Sequence, residues 1–295
     1  HTEGGAKAPP YDAGVIRGIK EMVPGASYRR ICLMLETSRS VLTNRRSRAR
    51  KMRSDDTALE SRMRELIKEY PTFGYRRIWA MLYFREGIIV NRKKIYRIFE
   101  KNRWFVQHRT VTPKPRVKAI RSRSEKSNTR WAMDLTHVYC GQDGWGHLSA
   151  VIDCHDRELI GSEFSLRGRA KEAERAIEDA CLNRFGTLRP KGDTPVVRSD
   201  NGLIFQSRRF RAACRQYNLS QEFITPYTPE QNGIIERFFR SLKEECIWQH
   251  NFASFAEAKR VIMEWIDWYN TGRPHQSLRY LSPREYREQQ SCQVA

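Results

Sequence analysis

TRWAMDLTHVYC (residues 129–140) reads as a β-strand: apolar and aromatic residues alternate with polar ones, and one acid, Asp134, sits in the middle. A carboxylate in the middle of an apolar strand is costly unless it is paired or bound to a cation, so Asp134 needs partners. Working outward, GHLSAVIDC (146–154) and ELIGSEFS (158–165) read as two further strands joined by the turn HDR. Connections this short make the three strands antiparallel. A helix over Ala170–Arg184 follows, then the strand TPVVRSD (194–200), a helix over Ser207–Tyr217 and the strand SQEFIT (220–225). Next comes TPYTPEQNGIIERFFRSLKEE (225–245), a turn running into a helix.

Three antiparallel strands followed by strand–helix–strand–helix is the order of the ribonuclease-H-like fold, a mixed sheet flanked by helices. On that plan Asp200 falls at the carboxyl end of a later strand, the edge where open α/β sheets place their sites. The following Asn201-Gly202 favours a tight turn that leaves its carboxylate exposed. Glu236 lies on a helix whose apolar side is Ile235, Phe239, Leu242 and Cys246. Asn232, Glu236, Arg240 and Lys243 share the adjacent face by helical spacing. Pro226, Pro229 and Gly233 set where that helix begins.

Three carboxylates on two strands and a helix suit two Mg²⁺ ions, which prefer oxygen ligands and accept phosphate oxygens; Mn²⁺ can substitute. Such a pair of ions serves in-line displacement at a phosphodiester. Each acid also has a plainer reading: Asp134 paired with a buried Arg, Asp200 as an ordinary turn residue, Glu236 in a surface ion pair with Arg240. One fold hypothesis accounts for all three placements together, and the separate readings do not.

The net charge of +20 is unevenly spread. Residues 1–127 hold 31 Lys and Arg against 12 Asp and Glu, and the remainder 23 against 22. A polyanion is therefore expected at the N-terminal part. Segment 12–50 reads as three short helices, Asp12–Met22, Ser27–Glu36 and Ser38–Arg50, with Arg45 and Arg46 on the last. Segment 57–102 repeats the plan with Thr57–Glu69, Arg76–Arg85 and Asn91–Lys101. Asn91 caps the last helix, which carries Arg92, Lys93, Lys94 and Arg97, and Ile78, Leu82, Ile95, Ile98 and Phe99 supply a small core. Both units have the pattern of a helix-turn-helix, whose last helix enters the major groove. The plainer alternative is a trihelical protein-binding domain.

The expected domains are 1–53 and 54–108 (helix-turn-helix), a basic linker 109–127, the ribonuclease-H-like domain 128–250, and a helical C-terminal extension 251–295. The fold class is thus multidomain, α-helical helix-turn-helix domains followed by an α/β catalytic core. In the extension, a helix over Ser254–Thr271 is expected to pack its Trp and Tyr residues on the core, with Arg273, His275 and Arg279 in a loop available to DNA. No apolar run is long enough to span a membrane. Seven scattered cysteines without a Cys-x-x-Cys motif suggest reduced thiols in a cytoplasmic, nucleoid-associated protein.

WAMDLTHV, SDNGLIF around Asp200, and the Glu236 segment, with 35 residues between Asp200 and Glu236, closely resemble the DDE transposases. The nearest group is the bacterial insertion-sequence-three family, in its downstream catalytic part, which is similar to retroviral integrases. YPTFGYRRIWAML (70–82) and WYNTGRPHQSLRYLSPREY (268–286) also resemble that family. The resemblance implies that Asp134, Asp200 and Glu236 bind two Mg²⁺ ions and catalyse DNA cleavage and strand transfer. It also implies that Lys243 contacts the element's terminal DNA, with Arg240 continuing the same face. The partners implied are double-stranded DNA at element ends and target, and further copies of the chain. The alternatives are a retroviral- or phage-type integrase and a non-catalytic DNA-binding regulator.

Overall fold

The computed structural model describes residues 13–39, 42, 54–105, 124–225 and 228–294. The chain divides into two units, residues 1–62 and 63–295. In the first, α1 (Ala13–Met22) and α2 (Tyr28–Met34) bury Ile16, Ile31 and Cys32 against each other. Ser27 caps α2, its Oγ accepting from the Arg30 N–H at 3.2 Å. The expected third helix over Ser38–Arg50 falls almost wholly outside the described residues, and Arg45 and Arg46 with it.

The second unit begins within α3 (Ser54–Glu69), whose Met63 and Leu66 are buried together with Ile78, Leu82, Ile95 and Phe99 of the elements that follow. These are α4 (Tyr75–Ala80) and α5 (Arg92–Asn102), with Asn91 accepting from the Lys93 N–H at 2.8 Å as the cap of α5. The helix expected over Arg76–Arg85 does not stay α-helical. At Met81 it widens into a π turn through Arg85, and the Glu86 N–H donates to the Met81 carbonyl at 3.1 Å. The extra residue in that turn keeps Leu82 in the core while Tyr83 and Phe84 are half exposed beside Trp79.

The sheet comprises β1 (Arg130–Tyr139), β2 (Trp145–Asp153), β3 (Leu159–Ser165), β4 (Val196–Ser199) and β5 (Ser220–Phe223), in the order β3-β2-β1-β4-β5. The first three are antiparallel, and β4 and β5 run parallel to β1. α6 (Ala170–Phe185) and α8 (Arg208–Gln216) cover one face, where Trp131, Met133, Val151, Ile177, Val197 and Phe210 pack. α9 (Gly233–Glu245) and α10 (Phe255–Thr271) cover the other, over Ala132, Leu148, Ala150 and Ile152. α11 (Pro283–Val294) completes the helical extension. Strand alternation places even-numbered β1 residues on the α9 face, and Asp134 shares that parity with Ala132.

The layer of α6 is close because β3 carries Gly161. A Cβ there would lie 2.1 Å from the Ala176 carbonyl oxygen and 2.6 Å from the Ala180 nitrogen. Backbone cannot yield as a flexible side chain does, so Gly161→Ala is expected to cost about 3 kcal/mol, read as a lower urea midpoint at unchanged slope. A loss below about 0.5 kcal/mol would show that α6 slides freely on the sheet.

Candidate active site

Asp134 lies near the centre of β1, opposite Ala150 of β2, and just past the last residue of β1 that pairs with β4. The parallel register sets Arg130 against Val196 and Ala132 against Arg198. The same offset, continued beyond the ladder, brings Asp134 level with Asp200, the residue after β4. The β1–β4 ladder ends at Ala132 and Arg198, just before the two acids.

The Asp200 carboxylate accepts from the Gly202 N–H at 2.9 Å, an Asx-type turn that holds its Oδ1 at the sheet edge. The chain then enters a short helix not expected from sequence, α7 (Leu203–Gln206), before Ser207 caps α8. Glu236 sits in the first turn of α9, exposed, next to the buried Ile235. One turn earlier, Asn232 is buried; its Nδ2 donates to the Met133 carbonyl at 3.5 Å, and its Oδ1 has no hydrogen-bond partner among the described residues.

The electrostatics of Asp134 show that the acids share a field. Burial pushes its carboxyl up to about 6; the negative charges of Asp200 and Glu236 push the same way, while the Leu135 N–H (2.7 Å) and Lys243 act against them. The Glu236 carboxyl, on an exposed residue, is also raised, first by partial desolvation and then by Glu230. Asp134 is therefore not neutralised by a buried arginine. Nor is Glu236 paired with Arg240, which instead bonds Glu244 at 2.8 Å. The charge of Lys243 acts on Asp134, whereas Arg240 is tied to its own helix surface. Among the described residues no three His, Cys, Asp or Glu side chains already stand at metal-ligating spacing. The donor set nevertheless fits a hard divalent cation: the ionised form of Asp134 is disfavoured first by burial and then by repulsion from Asp200 and Glu236, a penalty that a bound cation relieves.

Two buried networks that the sequence did not reveal hold this geometry. Arg198, between Val197 and Asp200 on the sheet, makes a two-pronged bond to Glu222 of β5 (3.0 and 3.1 Å) and donates to the Gln231 carbonyl at 3.0 Å. Gln231 in turn accepts from the Thr225 N–H at 2.9 Å, so the approach to α9 is fastened to β4 and β5. At the other end of α9, Glu245 accepts from Arg77 of α4 at 2.8 Å and from two nitrogens of Arg273 at 2.6 and 2.7 Å. This corrects the expectation for part of the 273–279 loop: Arg273 and His275 are buried and tied into that network, not free in a surface loop, while Arg279 is exposed. The α10 aromatics pack as expected, Tyr269 buried on the core and Trp268 stacked on Tyr70 at 5.3 Å.

The basic residues of α5 lie apart from the acids. Arg92, Lys93 and Arg97 are exposed on it and Lys94 is half buried, with Arg92 also over the Trp79 ring.

The mixed five-stranded sheet, flanked by helices on both faces, has the architecture of an integrase-type polynucleotidyl transferase core. The Integrase core domain family matches residues 124–229 and 217–283, and the HTH-like domain family matches residues 53–110. Transposase InsD of insertion element IS2A/D/F/H/I/K from Escherichia coli is 30% identical over 260 residues, covering 85% of this chain and 84% of the relative. The transposase InsD of element IS2-9 from Escherichia coli strain K12 shows the same identity over 85% and 82%. The catalytic core domain of BIV integrase is 20% identical with a TM-score of 0.42, over 57% of this chain and 99% of that one. The chain belongs to the insertion-element transposases of the insertion-sequence-three family and is a DNA transposase.

Proposed function

We propose that Asp134, Asp200 and Glu236 are the catalytic acids of this transposase, that they hold two Mg²⁺ ions, and that the chain cuts and joins DNA at the terminal inverted repeats of its element. The observation that carries this reading is the convergence of the register-matched Asp134 and Asp200 with Glu236, felt as a common field at Asp134. When bound, the ions activate the attacking oxygen and stabilise the leaving one, and Mn²⁺ can replace Mg²⁺.

The chain's own residues do the rest. Asp134 and Asp200 are fixed by strand backbone, and Glu236 is carried on a helix anchored at both ends, so the carboxylates are set before DNA arrives. In the first reaction, water oxygen bonds to phosphorus as the P–O3′ bond breaks, leaving a 3′-hydroxyl and a 5′-phosphate. In the second, that hydroxyl attacks a phosphodiester of the target, one ester bond replacing another. Lys243 supplies positive charge beside the scissile strand. Arg92, Lys93, Lys94 and Arg97 on α5 grip the terminal repeat, as Arg45 and Arg46 would in the first unit. Two element ends must meet, so the active form is a homo-oligomer on DNA.

The test is a nicking and joining assay on duplex DNA ending in the element's terminal repeat. Mg²⁺ or Mn²⁺ is expected to support both steps, and EDTA to lower the rate on the order of a thousandfold. Cleavage at full rate in EDTA would refute the metal assignment.

A further inference from the structure

We propose that the cavity between α4, α9 and the segment Arg273–Tyr280 binds a backbone phosphodiester of the transposase's DNA, forming a phosphate clamp between the helix-turn-helix domain and the acidic site. The cavity is about 410 Å³ and is lined by five arginines: Arg76 and Arg77 of α4, Arg157 of the β2–β3 turn, Arg237 of α9, and Arg273. Among the described residues its lining includes no carboxylate. Glu245 lies behind the wall and gives one negative charge to two of the five, Arg77 and Arg273, which leaves that pair with surplus positive charge.

Two further features point the same way. His275, inside the wall, is held far below the ordinary histidine range by burial and by Arg273, Arg157 and Arg77, so the arginine field converges on the cavity. The neutral ring accepts from Arg273 Nη1 at 3.3 Å and adds no charge of its own. In the same segment, Arg279 and Tyr280 are both left-handed, at φ 58° and 67°. Such a pair of non-glycine residues persists only where its surroundings impose it, and Tyr280 is among the residues that line the cavity.

The ligand class follows from the lining. Guanidinium groups from three separate elements suit the tetrahedral oxygens of a phosphate, which they engage in pairs. Arg237 follows Glu236 on α9, so the helix that carries the third acid also contributes to the cavity lining. The inference rests on the placement of DNA at Glu236 proposed above.

The test measures binding alone, on the full chain in EDTA, so its outcome is independent of catalysis. Failure of the acidic-site reading would instead appear as metal-dependent cleavage that survives substitution of the three acids. The probe is a duplex carrying the element end, titrated over a range of salt. Arg76 and Arg237 are exposed, so Arg76→Ala/Arg237→Ala is expected to keep the thermal midpoint of the wild type. It should weaken binding about tenfold and flatten the plot of log affinity against log salt by about 0.9 for each lost phosphate contact. Arg237→Lys should restore part of the slope. In a scan of single methylphosphonate substitutions, wild type should show a sensitive position that has no further effect in the double variant. An unchanged slope, or identical scans for wild type and variant, would overturn the proposal. So would displacement by free inorganic phosphate with no single backbone position responding, which would assign the cavity to a small anion.

Discussion

Asp134→Asn, Asp200→Asn and Glu236→Gln are each expected to lower strand cleavage and transfer by a thousandfold or more while leaving binding of the element end within a few-fold of wild type. Charge removal at any one acid opens the ligand set, and the amide keeps the shape. For Asp134→Asn a second effect goes the opposite way. Its carboxyl sits at about 6, above its ordinary value of 3.8, so between these values the folded chain holds a proton that the unfolded chain has released. Stability therefore falls as pH rises through that window and stays reduced above about 6 in metal-free buffer. Asparagine carries no such penalty, so at pH 8 in EDTA the variant should be more stable than wild type by about 2 kcal/mol, a difference that vanishes near pH 4. Mg²⁺ should raise the wild-type midpoint and leave the Asn variant's nearly unmoved. Full strand transfer by any of the three variants would refute the assignment. Equal stability of Asp134→Asn and wild type at pH 8 would show that neither burial nor the neighbouring acids penalise the Asp134 carboxylate.

Glu245→Ala is expected to cost about 3 to 5 kcal/mol, because it leaves the buried Arg273 guanidinium without its counter-charge and beside Arg77. The fold already disfavours the charged form of Arg77, first through burial and then through Arg273, and loss of Glu245 removes the main opposing influence. Adding Arg273→Met should recover much of the loss, since an apolar side chain of similar reach has no charge to strand. Urea denaturation of the single and double variants, together with Arg77→Ala, gives the coupling directly. Cleavage should fall with stability only in part: α9 carries Glu236 as well as Glu245, and loosening its end should lower turnover even below the melting range. A Glu245→Ala protein within 1 kcal/mol of wild type would show that the network is bridged by water and holds nothing in place.

Much of the catalytic part is legible in the chain because the relevant signals are local. Alternation in TRWAMDLTHVYC identifies β1, the HDR turn pairs its neighbours, and Asn91 and Ser27 mark helix starts that the structure shows as caps. The misses share a cause as well. The π turn at Met81, the short α7, and the burial of Arg273 and His275 all depend on neighbours far away in sequence. An arginine in a loop after a helix looks like a free surface charge until Glu245 is found beneath it.

By itself, then, the sequence determined the order of strands and helices and the split between a basic N-terminal part and a charge-balanced remainder, and it offered the three acids as a proposed set. Those follow from periodicity, turn chemistry and spacing, which act over a few residues. Only the tertiary structure decided that Asp134 is level with Asp200, that the Lys243 charge acts on Asp134 while Arg240 bonds Glu244, and that five arginines line one cavity. These depend on strand register and on charges brought together from distant segments. Coulomb interactions and desolvation depend on distance in space, and no spacing along the chain encodes it.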